Sequence, residues 1–472
     1  MAELLTDQLR TMADAFGDVV AASNVTSNET MTFREWEGRS NALARWLTAQ
    51  GVEKGDRVAI FIPPEEPFAF LVSYSATHKA GAVAVPLNTR LAQREIDNLL
   101  EHSGAKVVLL AAGLVVDGDE SEYQVPLHSS DIADVMYTSG TTGRPKGVVV
   151  RHGNIAMVPN GKPEKVTDRG WLHASPMFTF AGIASTYNPM KLGMELLYMP
   201  RFDVDAWFDV VESRQPRATF IVPAMAELII ASPRFEAADL SSLRICSLGS
   251  APVAPSTVKT LQEKLPRAMV SNSWGMTEAG PAFCFMPEEE RDKRIGSVGK
   301  PMAPTEFRIV DEHTGEELAP RAIGELVVRN PGREREYFND AEATASTWRD
   351  GWLHSGDLAF LDEDGFLYIV GRAKDVIIRG GNNIHATDIE SVLYEHPSIQ
   401  EAAVASIPHD VLGEDVGAWI VLVEGETASA EDIKAFCAER LADYKVPRRI
   451  TFVDELPRNA TGKVVKKDLP GR

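Results

Sequence analysis

The sequence predicts an α/β protein with a large N-terminal domain and a small α+β domain at its C-terminal end. Three observations carry this prediction. Through the first half, apolar runs of strand length alternate with segments of helical periodicity. In the middle, Phe220 to Val222, Arg244 to Leu248 and Met269 to Ser271 are each followed by a Gly-, Pro- or Ser-rich turn. Near Glu306 the pattern changes to short strands, and after Arg372 a new mixture of helix and strand begins.

The elements follow in order. Phe33 to Gln50 places Trp36, Ala42, Leu43, Trp46 and Leu47 at helical spacing, and Gly51 supplies a stop. Arg57 to Ile62 reads as a strand closed by Pro63-Pro64. Phe68 to Ala80 reads as helix, Ala82 to Pro86 as strand, Arg94 to Ser103 as helix and Lys106 to Leu110 as strand. Such alternation builds βαβ units around a mostly parallel sheet. The polar stretch from Asp117 to Asp131 reads as a surface loop. Ligand sites in such sheets lie at the carboxyl ends of the strands, so the turns after the middle strands are the first places to look. Glu306 to Val310, Gly324 to Arg329 and Gly365 to Val370 read as antiparallel strands of a β-rich subdomain, with a turn from Asp362 to Gly365. The last unit has helices from Asp388 to His396 and from Ala430 to Ala442, and strands from Ala402 to Ile407 and Ala418 to Val423. A boundary at Ala373/Lys374 divides the chain into residues 1–373 and 374–472, the second of single-domain size.

With 472 residues, 44% hydrophobic and 25% charged, the chain can bury a large core. Its net charge of −20 argues against nucleic acid or an anionic membrane as the main partner. Cys246, Cys284 and Cys437 lack metal-ligand spacing and cannot build a disulfide framework, which fits a reducing, cytoplasmic setting. The N-terminus resembles no secretory or transit segment, and the longest apolar run, Val107 to Val116, is too short for a membrane span. The pattern leaves the oligomeric state open, a homodimer included.

The strongest local signal is Tyr137 to Gly147, YTSGTTGRPKG, following the strand-like Asp134 to Met136. Gly140 and Gly143 let several backbone N–H groups face one anion. Thr138, Ser139, Thr141 and Thr142 add hydroxyl donors, and Lys146 adds positive charge. The mix suits a pyrophosphate group. It is not a Walker A loop, because the lysine follows Pro145 and precedes Gly147.

This loop resembles the signature of the adenylate-forming superfamily, which includes acyl-CoA synthetases, adenylation domains of peptide synthetases and beetle luciferases. The resemblance recurs in order along nearly the whole chain. Ser247 to Val253, SLGSAPV, is similar to the family's adenine-side turn, and implies that Gly249, Ser250 and Ala251 line one face of the base. Asn272 to Glu278, NSWGMTE, resembles the segment that closes the other face. By that match Trp274 stacks on adenine, Asn272 lies near its amino group, and Gly275 and Met276 complete the wall. Thr277 contacts the α-phosphate, and Glu278 with Thr138 holds Mg²⁺. HSGD, ending at Asp357, resembles the turn that bonds the ribose. GRAKD resembles the hinge motif, with Arg372 reaching the ribose and Lys374 as pivot of a mobile C-terminal domain. GGNNIHATDIE resembles the loop that enters for the second half-reaction, placing Gly381 beside the pantetheine arm and Asn383 towards the phosphates. LPRNATGK resembles the C-terminal catalytic motif and makes Lys463 the mobile lysine.

The resemblance implies that ATP activates a carboxylic acid as an acyl-adenylate with loss of pyrophosphate, and that CoA then accepts the acyl group. Lys463, Thr277 and Glu278 are the implied catalytic residues. The implied acyl pocket is framed by Phe178, Thr179, Val222, Ser247, Gly275 and Ala279. Small residues are common there and no aspartate is placed to hold an amino group, which points to a bulky apolar or aromatic acid. Three departures stand out. Thr179 occupies the place of a histidine in many acyl-CoA synthetases, which keeps a carrier-protein thiol or an amine open as the acceptor. Ala386 replaces the usual proline, and the polar stretch from Gly113 to Asp131 is short.

Overall fold

The computed structural model describes residues 4–111, 114, 118–138, 146–155, 162–167, 169–280, 284–459 and 462–472. The chain divides into two compact units, Met1–Phe220 with Gly275–Pro281 and Asn330–Arg349, and Ile221–Trp274 with Ala282–Arg329 and Asp350–Arg472. The structure is mixed α/β, as the alternation predicts.

In the first unit, one six-stranded sheet runs in the order Glu336–Tyr337, Lys146–Arg151, Ile132–Thr138, Val83–Pro86, Arg57–Phe61, Val107–Leu110. Its last four strands are mutually parallel. Helices Pro67–Lys79 and Gln93–Ser103 make the crossovers that parallel pairing demands. Ile132–Thr138 and Lys146–Arg151 pair antiparallel, with Thr138 opposite Lys146. A second sheet orders Ala218–Ile221, Trp171–His173, Leu196–Tyr198, Val20–Asn24 and Thr30–Thr32. Helix Phe33–Ala49 starts at a capping box: Thr32 Oγ1 accepts from the Glu35 amide at 3.2 Å, and Glu35 accepts from the Thr32 amide at 2.7 Å. These bonds satisfy amide groups that the first helical turn leaves without partners. Trp36, Leu43 and Leu47 from this helix are fully buried with Val58, Ile60, Leu71 and Tyr74. Trp46, included in the apolar stripe predicted for this helix, is partly exposed instead.

In the second unit, Ile245–Leu248 and Met269–Asn272 form a parallel pair with Leu248 opposite Asn272. Helix Pro255–Lys264, which starts at a proline in its first turn, lies between them in sequence. Glu306–Val310, Gly324–Arg329, Trp352–Leu361 and Leu367–Arg372 form the antiparallel, β-rich part. A five-stranded sheet follows, built on the long hairpin Ile399–His409 and Gly413–Leu422. Helices Ala386–Leu393 and Ala430–Ala438 bury Ile389, Leu393, Ile433 and Cys437 with Ile377, Val404 and Ile420.

Several boundaries move. The strand expected at Gly365 to Val370 is Leu367–Arg372, because Asp362 and Gly365 close a turn in which Oδ1 of Asp362 accepts from the amides of Asp364 and Phe366. The helix expected from Asp388 starts at Ala386, and the one expected to reach Ala442 stops at Ala438. The segment read as an entering loop at Gly380-Gly381 is the tip of a tight hairpin, with Arg379 opposite Asn382. Both glycines have positive φ, 55° and 87°, as a two-residue turn matching strand twist requires. Among the described residues, no helix is long and apolar enough to cross a membrane.

Candidate active site

In the first unit, pairing of Thr138 with Lys146 brings together the two ends of the Gly-Thr segment. Ser139, Gly140, Thr141, Thr142 and Gly143 themselves lie outside the described residues. Thr138 Oγ1 donates to Oε1 of Glu278 at 3.1 Å. The same oxygen accepts from the Tyr337 hydroxyl at 3.4 Å. Lys146 lays its ammonium over the Tyr337 ring, 4.7 Å from the centroid. Burial and the neighbouring Glu278 charge push the Tyr337 phenol well above its ordinary range, so it stays a donor at neutral pH. Glu278 sits in a single 3-10 turn, Thr277–Ala279, between Met276 and a glycine at positive φ. Arg335, 5% exposed, donates to the Thr277 carbonyl and to the Asn154 carbonyl, the latter at 3.0 Å.

Also in this unit, Thr179 caps helix Phe180–Lys191, accepting from the Gly182 amide at 3.0 Å and donating to the Pro176 carbonyl at 2.8 Å. A methyl group on Gly182 would collide with the Pro176 carbonyl, so a glycine is needed for this close turn. The residue in the histidine's place thus has a local structural task. Phe178 is half-buried beside it, Ala279 is buried and Gly275 is exposed.

In the second unit, the turns after Ile245–Leu248 and Met269–Asn272 leave the same end of the parallel pair. Ser247 and Ser271 hydroxyls meet at 3.1 Å, and the Ser273 amide donates to the Leu248 carbonyl at 2.8 Å. Gly249 is buried, Ala251 half-buried, and Ser250 between them takes a φ of +70°. A left-handed non-glycine residue costs energy and tends to cluster at ligand sites. Asn272 donates through Nδ2 to the Gly296 carbonyl at 3.2 Å. Trp274 donates through Nε1 to Asp357 at 2.8 Å and meets Phe307 edge-on at 5.9 Å. The other oxygen of Asp357 pairs with Arg372 Nε at 2.8 Å, and strand register places the two residues opposite each other. Asp357 is 5% exposed, so the pair is charge-assisted and little screened.

Lys463 belongs to the same unit and lies within the field of this pair. Burial lowers its ammonium to about 8, Arg372 adds to that, and Asp357 and Asp375 oppose it. Its amide donates to Oδ1 of Asn459 at 3.0 Å, and Gly462 before it has a φ of +80°. The Gly462 backbone packs beside Val222. Lys374 is exposed in the one-turn helix Ala373–Asp375, and Gly381 and Asn383 are exposed on the hairpin.

Among the described residues, Thr138, Glu278 and Lys146 are linked through Tyr337 in one unit, and Trp274, Asp357 and Arg372 contact one another in the other, with Lys463 within their field. Sequence reasoning missed Arg335 and Tyr337, which hold the Thr277–Glu278 turn. The pairing of Glu336–Tyr337 with Val148 and Val149 creates that contact, and no periodic signal in the sequence announces a two-residue strand.

Comparisons with known proteins identify the family. The model of the AMP-binding enzyme family matches residues 9–338, and that of the AMP-binding enzyme C-terminal domain matches residues 388–463. A feruloyl-CoA synthase from an Amycolatopsis species is 36% identical over 465 residues, covering 94% of each chain. A 2-succinylbenzoate–CoA ligase of Bacillus cereus is 34% identical over 465 residues, covering 93% of each chain. The o-succinylbenzoate CoA synthetase of Bacillus subtilis, solved with its acyl-adenylate intermediate OSB-AMP, has a TM-score of 0.84 at 30% identity, covering 98% of each chain.

Proposed function

The chain belongs to the AMP-binding enzyme family, and from that premise we propose which residues carry its reaction and which acids it takes. It is an AMP-forming acid–thiol ligase, joining a carboxylic acid to AMP with release of pyrophosphate and passing the acyl group to CoA. A carboxylate oxygen attacks the α-phosphorus of ATP, the P–O bond to the β-phosphate breaks, and pyrophosphate departs. The CoA sulfur then attacks the acyl carbon, and the bond to AMP breaks.

Charge stabilisation is the main demand of the first step. We assign it to the Gly-Thr segment from Thr138 to Lys146, to Thr277 and to Lys463. Lys463 bridges the acid's carboxylate and the phosphate oxygens. The Glu278 carboxylate and the Thr138 hydroxyl are hard oxygen donors 3.1 Å apart. One carboxylate and one hydroxyl suit Mg²⁺, so Glu278 and Thr138 are the residues that would hold it. When bound, the ion offsets charge on the transferring phosphoryl group. Trp274, Asn272 and the Gly249–Ala251 turn bind adenine, and Asp357 with Arg372 binds the ribose hydroxyls. Residues 374–472 form the domain that turns about Lys374, withdrawing Lys463 and presenting the Gly381 hairpin for the second step. The acid is bulky and apolar or aromatic, in keeping with the small residues that the resemblance assigns to the acyl pocket. The setting is cytoplasmic.

The observation that carries this reading is the Trp274–Asp357–Arg372 cluster, with the charges of Arg372 and Asp357 acting on the half-buried Lys463. The test is incubation with ATP, Mg²⁺, CoA and ferulate or 2-succinylbenzoate. AMP, pyrophosphate and a thioester are the expected products. Production of ADP without pyrophosphate would refute it.

A further inference from the structure

The turn that carries Glu278 is held from one neighbouring segment. Asn330 Nδ2 donates to the Ala279 carbonyl at 3.4 Å, Arg335 donates to the Thr277 carbonyl, and Tyr337 donates to the Glu278 carboxylate at 3.4 Å. All three consecutive residues of the turn thus accept a hydrogen bond from residues 330–337. Arg335 has the largest stake. Its guanidinium is buried, spans the carbonyls of Thr277 and Asn154, and lies over the Phe180 ring at 4.7 Å. Burying a guanidinium is costly unless nearby charge and hydrogen bonds offset it. Here Asp134 and Glu278 offset it through space, and Asp134 is itself fixed by Tyr74 at 3.0 Å and His78 at 3.0 Å.

We propose that Arg335 is a positioning residue for the adenylation half-reaction: it locks the backbone of the Thr277–Glu278 turn so that both side chains meet the triphosphate and its metal in a fixed orientation. This rests on the reading that Thr277 and Glu278 act on ATP. The choice of arginine follows from its planar fork, which holds two carbonyls at once, and from hydrogen bonds that a charged donor makes stronger than a neutral one. Its positive charge also attracts the Glu278 carboxylate, whereas a neutral donor would leave that group held only by hydroxyls. The segment takes no part in the second step as assigned above, so its loss should divide the two half-reactions.

The experiment compares Arg335→Met, Arg335→Lys and Tyr337→Phe with wild type, using ferulate and 2-succinylbenzoate as acids. Two rates are read: acid-dependent ATP–pyrophosphate exchange, and transfer of a supplied acyl-adenylate to CoA. In Arg335→Met, exchange should fall roughly 10- to 100-fold with a raised KM for MgATP, the loss typical of groups that orient a metal ligand. Transfer to CoA should change little. Arg335→Lys should recover part of the exchange rate, and Tyr337→Phe should lower exchange alone and by less. If Arg335→Met does not fold, the lysine and phenylalanine variants decide. A parallel fall of both half-reactions in the folded variants, or exchange at the wild-type rate, would overturn the inference. Absence of exchange in the wild type with either acid would instead count against the underlying reading.

Discussion

The Thr138 hydroxyl donates to the Glu278 carboxylate at 3.1 Å across 140 positions of sequence. The contact joins the edge of the glycine-threonine segment to the acid proposed to hold the metal, so it should be sensitive to the charge on that acid. Glu278→Gln keeps an acceptor for Thr138 and removes the charge. Adenylation is expected to fall about 10- to 100-fold, with a weakened response to Mg²⁺ and little change in thermal midpoint. Pyrophosphate release measured across a Mg²⁺ titration checks this. A variant with the wild-type Mg²⁺ response would remove Glu278 from that role.

Asp357 divides its two oxygens between the Trp274 indole and the Arg372 guanidinium. Asp357→Asn leaves an acceptor for the indole and deprives Arg372 of its counter-charge. The expected result is a roughly tenfold rise in KM for ATP, equal to about 1.4 kcal/mol of binding. If the carboxylate recognises the ribose, the preference for ATP over 2′-deoxy-ATP should shrink in the variant. An unchanged preference would place Asp357 outside ribose recognition.

Much of this was legible because the signals were local. Gly51 announces a helix end, and Trp36 and Leu47 lie on the face that helical periodicity assigns to the core. The motif residues Trp274, Asp357, Arg372 and Lys463 were named by resemblance, and the fold gathers them. Arg335 was not legible. It sits in the charge run Arg333-Glu334-Arg335-Glu336, a pattern that ordinarily marks a solvated face. Its burial follows from carbonyl acceptors at Thr277 and Asn154, both far away in sequence, and only tertiary structure reveals such a demand. The Gly380-Gly381 pair is a hairpin signal of its own, two glycines between the strand residues Ile378 and Ile384.

Lys463 gives a pH dependence whose sign follows from its surroundings. Burial lowers the ammonium to about 8, and the proposed role requires the charged form. Adenylation should therefore be level near neutrality and fall above about pH 8, approaching a tenfold loss per unit as the ammonium loses its proton. Lys463→Arg holds its charge to far higher pH, so the descending limb should move upward in that variant even if the rate is lower. Lys463→Ala should lose about 10²–10³ in adenylation rate, by analogy with loss of an oxyanion donor, and should show no such limb. Pyrophosphate exchange across pH 6 to 10 reads all three, and an alanine variant that exchanges normally would disprove the role.

Lys374 offers a test of the proposed rotation. It is exposed in the single turn Ala373–Asp375, whose bond runs from the Val376 amide to the Ala373 carbonyl. Proline at position 374 removes neither of those groups. It does fix its own φ near −65° and drives Ala373 out of the helical region, so the backbone at this point can no longer swing freely. If rotation here separates the two half-reactions, Lys374→Pro should adenylate at close to the wild-type rate. Thioester formation should drop by about 10²-fold, since the acceptor would meet a misplaced hairpin. Single-turnover measurement of each half-reaction separates the cases. Retention of both would count against a pivot at Lys374. Loss of both with a lowered thermal midpoint would mean that the turn serves the fold, and the pivot would have to be sought elsewhere in residues 371–376.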